Sequence, residues 1–388
     1  MNKNRLLSIV LVVVIYLMST GASYVLFSES PKTSNISKAP VSAGSKDKLA
    51  FDATLPKTEP CPMNGALYSK QQKDWWEKHR PMGVMVENHQ EARPQSGLSS
   101  ADVLYEIVAE GGITRFLSIF YCNSAEEVGP VRSARTYFLD FVSEYGASPL
   151  YVHVGGANQD GPADALSQIE NYGWAGVNDM NQFSIGFPTF WRDYDRLGHP
   201  AATEHTMYST TEKLLEFAVT SRKLKVEDEK GISWTKGFAP YSFKEDAPAS
   251  QRPPSQTVHL EFWTLDPSYG VDWVYEPIAN VYKRNNGGIA HIDRNNNKQL
   301  TAKNIVVLYM LQTHANDGYE NNQHLLYRTK GSGKANIFMD GKQIIGTWRK
   351  DTRTARTLLF DSAGESIKFD RGTIWFEILP TDGILTVK

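Results

Sequence analysis

Only two cysteines occur among the 388 residues, which excludes a disulfide-dense scaffold and any cysteine-rich metal cluster. Neither sign of charge dominates: 41 Lys and Arg stand against 43 Asp and Glu, a formal net charge of -2. Such a balance supplies no global field for nucleic acid, and no nucleic-acid partner is expected. The nine histidines follow no ligand spacing, and the chain has no H-E-x-x-H, P-loop, G-x-S-x-G or C-x-x-C pattern. No metal site through His or Cys and no cofactor are therefore expected. The patterns leave a carboxylate-held Mg²⁺ open.

What is there begins with the compartment. Lys3 and Arg5 precede a charge-free apolar run from Leu6 to about Phe27. About 20 such residues span a bilayer as a helix, and the positive residues ahead of them hold the N-terminus inside. Residues 1–30 therefore read as a single-pass transmembrane anchor, with the folded part extracytoplasmic. A cleavable signal peptide is the rival, with Gly21-Ala22-Ser23 as the small residues before the cut. Tyr24-Val25-Leu26-Phe27 continue the apolar run beyond them, which favours the anchor. No cysteine stands near its end, so a lipid-attachment signal is absent. Residues 31–60 are rich in Ser, Lys, Pro and Ala and read as a flexible stalk. In an oxidising space Cys61 and Cys122 are expected to pair, two free thiols being the alternative.

A Pro/Ser/Ala/Gln stretch, Glu245 to Gln256, divides the rest into regions 61–244 and 257–388. Helical and strand-like patterns alternate before it; after it, short strands alternate with turn signals such as Asp340-Gly341. The expected class is α+β: a mixed helix/sheet N-terminal domain, then an antiparallel β-rich C-terminal domain, behind an N-terminal transmembrane helix.

The densest polar constellation runs from Glu87 to Asp164. Glu87 and His89 share a strand face, Arg93 follows in a loop, and Glu110-Gly111-Gly112-Ile113-Thr114-Arg115 joins two strands. Arg132 and Arg135, three apart in an expected helix over 132–144, lie on one face of it. With Arg115 and Arg93 they would form a fork for a phosphate or carboxylate, helped by the helix N-terminus. The competing reading pairs these arginines with Glu87, Glu106 and Glu110 in a structural ion network. His153, before Gly155-Gly156 and near Asp160 and Asp164, suits a general acid/base or a hydrogen-bonded structural histidine. Trp191, Glu204, His205 and Tyr208 suit sugar stacking or core packing. Tyr282, Arg284, Gly288, His291 and Asp293 form Y-x-R-x-x-x-G-x-x-H-x-D, a turn network or a cleft edge.

Several of these segments resemble a known family. Val84-Met85-Val86-Glu87-Asn88, Ala92-Arg93-Pro94-Gln95-Ser96-Gly97, Glu110-Gly111-Gly112-Ile113-Thr114-Arg115-Phe116 and Gly129-Pro130-Val131-Arg132-Ser133-Ala134-Arg135 are similar to the YerB family of bacterial envelope proteins. Gly331-Ser332-Gly333, Gly346-Thr347-Trp348 and Gly372-Thr373-Ile374-Trp375 resemble its second domain. That family consists largely of lipoproteins without an agreed activity, so the resemblance implies a location rather than a chemistry. Thr114-Arg115, Val131-Arg132 and Val152-His153-Val154-Gly155-Gly156 also resemble, remotely, the LytR-CpsA-Psr phosphotransferases, which transfer glycopolymers from polyprenyl-pyrophosphate carriers. This chain has Phe116 where that family carries an Asp.

Together these readings imply an extracytoplasmic protein whose first domain binds an anionic glycan or phosphate-containing wall ligand through Glu87, His89, Arg93, Glu110, Arg115, Arg132, Arg135 and His153. The alternatives are an enzyme on the same ligand, by phosphotransfer or by glycan cleavage with Glu87 and Glu110, and a non-catalytic scaffold for wall-synthesis proteins.

Overall fold

The computed structural model describes residue 49, residues 51–263 and residues 266–388. The expected anchor, 1–30, and residues 31–48 and 50 of the expected stalk lie outside the described residues. The end of that stalk is described, and Lys57–Pro60 forms a strand paired antiparallel with Leu67–Ser69. Among those described, no helix is long and apolar enough to cross a membrane.

Three runs of the first region, β1 (Met82–Glu87), β2 (Val103–Val108) and β3 (Thr114–Phe120), are buried along their whole length. Runs of that kind belong at the centre of a sheet covered on both faces. The short strands β4 (Leu150–His153) and β5 (Asp179–Asn181) extend it by parallel pairing. The second region supplies β6 (Thr257–Glu261), β7 (Val271–Glu276), β8 (Val281–Asn286), β9 (Ile289–Ala290), β10 (Thr301–Ala302) and β11 (Asn304–Met310). It continues with β12 (Gly331–Met339), β13 (Lys342–Lys350), β14 (Leu358–Asp361), β15 (Ile374–Pro380) and β16 (Ile384–Val387).

These strands form two main sheets. The large one has ten strands in the order β14-β13-β12-β11-β15-β2-β3-β1-β4-β5, and the smaller one runs β9-β8-β7-β6-β16 with β10 beside β8. The β-rich second region is present, but its expected purely antiparallel arrangement is corrected. Strand β15 pairs parallel to β11 on one side and to β2 of the first region on the other. Its sequence explains this. Ile374-Trp375-Phe376-Glu377-Ile378-Leu379-Pro380 is buried at every position, has no solvent face, and fits only between two neighbours.

Among the described residues four helices of seven or more residues complete the layers: α1 (Lys70–Trp76), α2 (Thr136–Val142), α3 (Ala165–Asn171) and α4 (Thr211–Thr220). Ser69 starts α1 with a reciprocal capping box to Gln72, and Asp164 caps α3 through the amide of Ser167. The helix expected over 132–144 begins later, at Thr136. Arg135 is its N-cap, in extended backbone at φ -140 and ψ 148. Competing hydrogen bonds are the reason. The amide of Arg132 donates to Met85 O (2.9 Å), that of Val154 to Arg132 O (3.1 Å), and that of Ala134 to Gly155 O (2.9 Å). Residues 131–134 thus run as a ribbon between the ends of β1 and β4.

Strand alternation sorts the central side chains onto two faces. Glu87, Arg115, Ile107 and Tyr105 fall on one face, where Tyr105 stacks on Phe141 of α2 at 4.8 Å. Glu106, Phe116, Trp375 and Glu377 fall on the other, where Trp375 meets Trp273 of β7 edge-on at 5.0 Å. The first strand–helix segment is tied down by the expected disulfide, Cys61–Cys122, whose Cα atoms are 6.0 Å apart.

Candidate anion-binding site

The helix-side face ends in a cluster of charge. Arg132 Nε donates to Glu87 Oε1 at 3.0 Å, and His205 Nδ1 donates to Glu87 Oε2 at 2.7 Å. Arg135 grips Glu110 with two guanidinium nitrogens, while Arg115 Nη2 reaches the same carboxylate at 3.3 Å. Three guanidiniums therefore share two carboxylates. Arg115 bears the imbalance: the residue is 7% exposed, and its Nε and Nη1 are buried without a hydrogen-bond partner among the described residues. Burial and the nearby Arg135 push its pKa down to about 10. Burial opposes ionisation of Glu110, but Arg115 and Arg135 outweigh it and hold its pKa down at about 2. For Glu87, burial is likewise outweighed by the bond from His205 and the charge of Arg132, leaving its pKa lowered. His205 is correspondingly raised, chiefly by its bond to Glu87.

The other expected residues divide. His89 lies beside the cluster, its ring stacked on His205 at 4.8 Å and 8°. Arg93 does not join. It donates to Asn88 Oδ1 (3.1 Å), Asn88 O (3.0 Å) and Ser268 O (2.9 Å), and lies over the Tyr269 ring. His153 has both nitrogens engaged, with Asp179 Oδ1 at 2.5 Å and Gly155 O at 2.7 Å, and is fully buried. It is a clamp between β4 and β5, with no nitrogen left for a substrate. Arg132 and Arg135 do not share a helix face as expected. In extended backbone their side chains run to different carboxylates, and a two-arginine fork does not form. The seven-residue helix behind them gains no cap from the Arg135 side chain.

A second network occupies the opposite face. Arg284 pairs with Glu106 at complete burial, Trp273 Nε1 donates to Glu377 Oε1 (2.8 Å), and His291 bonds to Gln95 Oε1 (2.7 Å). Burial and the neighbouring Glu106 push the Glu377 pKa well up. Asp293 accepts from the amides of Gly97 (3.0 Å) and Ser99 (2.7 Å). Of the Y-x-R-x-x-x-G-x-x-H-x-D residues, Arg284, His291 and Asp293 thus form a seam between the two regions, while Tyr282 bonds to Gln256 within the second.

An open hollow of about 380 Å³ begins at the residue after Glu110, lined by Gly111, Gly112, Phe262, Trp263, Gln312 and Gln323 among others. Gly112 has φ +73, and a Cβ there would lie 2.7 Å from the Trp263 ring. Gly111, at φ +64, has only Gln323 Oε1 (3.8 Å) and the tip of Ile113 within 4 Å. The Gly-Gly turn is therefore required both by backbone conformation and by contact with tryptophan.

The fold and this site define an α+β protein built on a mixed ten-stranded sheet, with a buried arginine-rich cluster on one face and an ionic seam on the other. Residues 67–225 match the N-terminal domain described as "Protein of unknown function (DUF3048)", and residues 258–376 match the corresponding C-terminal domain. The chain belongs to this family. It is 29% identical over 313 residues to the Bacillus subtilis (strain 168) protein named "Putative lipoprotein YerB", covering 78% of this chain and 82% of that one. The crystal structure of the YerB protein from Bacillus subtilis superposes with a TM-score of 0.69 at 26% identity, covering 85% of this chain and all of that one. These matches carry the YerB resemblance and give the LytR-CpsA-Psr one no support. Phe116, where that second family has an Asp, points to the seam face, away from Arg115.

Proposed function

We propose that this protein is held at the outer face of a cell membrane and binds an anionic ligand, a phosphate or acidic glycan of the cell wall, at Arg115, Arg132 and Arg135. The location is supported by the charge-free run behind Lys3 and Arg5 and by the lipoprotein name of its Bacillus relative. The binding reading rests on one observation: Arg115 is buried with two guanidinium nitrogens unpaired, in a cluster carrying three guanidiniums on two carboxylates. Buried donors without partners are costly, and a bound anion would supply the missing acceptor. Arg132, with its side chain 24% exposed, is the cluster's contact with solvent. The hollow at Gly111 places an indole and two amides beside the cluster, groups suited to a sugar.

Cleavage of a glycan by Glu87 and Glu110 has no support in the electrostatics. That chemistry needs one carboxylic acid kept protonated, and both carboxyls here are held below the ordinary range. The test is thermal unfolding with and without polyprenyl-phosphate analogues or wall fragments, for wild type, Arg132→Lys and Arg132→Ala. Ligand at about 100 times its Kd stabilises by about 2.7 kcal/mol. Arg132→Lys should lose much of that gain, since an ammonium cannot reproduce the planar fork. A wild type whose midpoint ignores every such ligand removes the proposal and leaves a scaffold.

A further inference from the structure

We infer that His89, Glu91 and His205 form a site for a divalent transition metal of the zinc class, at the solvent edge of the cluster. Their ligand atoms all lie within 4.8 Å of one another. His89 caps a short 3-10 turn containing Glu91, and His205 ends another, so two separate turns meet here. The arrangement behind His205 is what distinguishes this trio from a chance cluster. His205 Nδ1 donates to Glu87 Oε2 (2.7 Å), which leaves Nε2 as the outward nitrogen, 3.6 Å from Glu91 Oε2. Ligating histidines are held in this way by a carboxylate on the far ring nitrogen, which fixes tautomer and orientation.

Glu87 is itself spent. Its Oε1 takes Arg132 and its Oε2 takes His205, so it orients a ligand rather than being one. Glu91, with its side chain 58% exposed, has room to swing and keeps one side of the site open to water. Two histidines, one carboxylate and an open position make a ligand set that suits Zn²⁺ and its neighbours better than Mg²⁺ or Ca²⁺. A tetrahedral ion with bonds of about 2.1 Å needs ligand atoms roughly 3.4 Å apart, so the trio must close by about an ångström. Closure disturbs two contacts: the 3.2 Å bond from the Glu91 amide to His89 Nδ1, and the stack of the His89 ring on His205, out of which His89 must tilt to aim a nitrogen at the ion.

The experiment uses untagged full-length protein, stripped with EDTA and returned to chelator-free buffer. It is titrated with Zn²⁺ by calorimetry and with Co²⁺ by visible absorption. One equivalent should bind, with the intense visible bands of a four- or five-coordinate Co²⁺. Glu87→Gln should weaken binding by about 10–100-fold through loss of orientation. His205 is buried and its replacement can unfold the chain, so His89→Ala and Glu91→Gln carry the decision. Loss of the Co²⁺ bands or at least tenfold weaker binding in either variant supports the site. Absence of saturable binding at one equivalent, or binding unchanged in both variants, overturns it.

Discussion

Replacing Arg115 and Arg284 by methionine separates a guanidinium kept for a ligand from one kept for the fold. Arg284 is fully buried, pairs with Glu106, and has Glu377 Oε1 at 3.9 Å from its Nε. Arg284→Met removes the cation from Glu106 Oε2, leaving that carboxylate only the bonds from Asn88 and Thr114 to Oε1, and should cost about 3–5 kcal/mol, the usual penalty for breaking a buried pair. Arg115 is also buried, though 7% exposed, and its only carboxylate contact is the 3.3 Å approach to Glu110, which Arg135 already holds with two nitrogens. Its Nε and Nη1 are buried and unpaired, and each such group carries a desolvation penalty of about 1–3 kcal/mol. Methionine keeps most of the stem and removes that penalty. Arg115→Met should therefore be neutral or stabilising by up to about 2 kcal/mol, and should abolish stabilisation by any anionic ligand. Urea unfolding of the three proteins, with and without ligand, reads both quantities. If Arg115→Met destabilises as much as Arg284→Met, Arg115 is a structural ion and the anion reading fails.

Three further outcomes are expected. Removing both Cys61 and Cys122 as alanines opens a loop with a sequence separation of 61; the chain-entropy model gives about 4 kcal/mol, and urea midpoints against oxidised wild type measure it. Glu110 has its folded pKa depressed to about 2 from 4.5, so its contribution is complete above pH 4.5 and is lost as pH falls through 2. The stability gap between wild type and Glu110→Gln should shrink over that window, and a constant gap refutes the assignment. Gly146→Ala should unfold the chain or cost several kcal/mol, because Gly146 has φ +90 and a Cβ would lie 1.9 Å from Trp234 O; circular dichroism on heating decides it.

The strands are legible in the sequence because they are short apolar runs between turn residues: the runs 81–86, 103–109, 113–122, 305–312 and 373–380 read as strands, and β1, β2, β3, β11 and β15 lie within a residue or two of them. Their assembly is not legible. The pattern says that Thr373 to Pro380 is a short strand but not which neighbours it takes, and parallel pairing with both β2 and β11 joins residues as far apart in the chain as Val103 and Ile374. The start of α2 departs from its pattern for a similar reason. The apolar spacing of residues 132–144 is helical throughout, but the amides of Arg132 and Ala134 find acceptors on Met85 and Gly155, and these long-range bonds outweigh local propensity.

The same contrast holds at the site. Glu87, Glu110, Arg115, Arg132 and Arg135 stand out by the density of charge in one stretch, and the widest ion pair among them, Glu87 with Arg132, spans 45 positions. His205 carries no such signal. It lies 118 positions from Glu87 and is indistinguishable from a packing histidine until the fold brings the two within 2.7 Å. Motif spacing detects only ligands close in sequence, so it gives no signal for a pair as far apart in the chain as His89 and His205. The two ionic networks also explain each other's positions. Glu87 and Arg115 occupy the helix-side face at the end of β1 and β3, while Glu106 and Asn88, one residue out of phase, occupy the other. One face is closed by the smaller sheet and pairs Arg284 with Glu106, with Arg284 Nε and Glu377 Oε2 left without hydrogen-bond partners among the described residues. The other is covered only by short helices and turns, its charges are left one cation in excess, and Arg132 reaches solvent. On the proposed reading the anion is taken on the helix side, and substitutions on the seam side should change stability without changing binding.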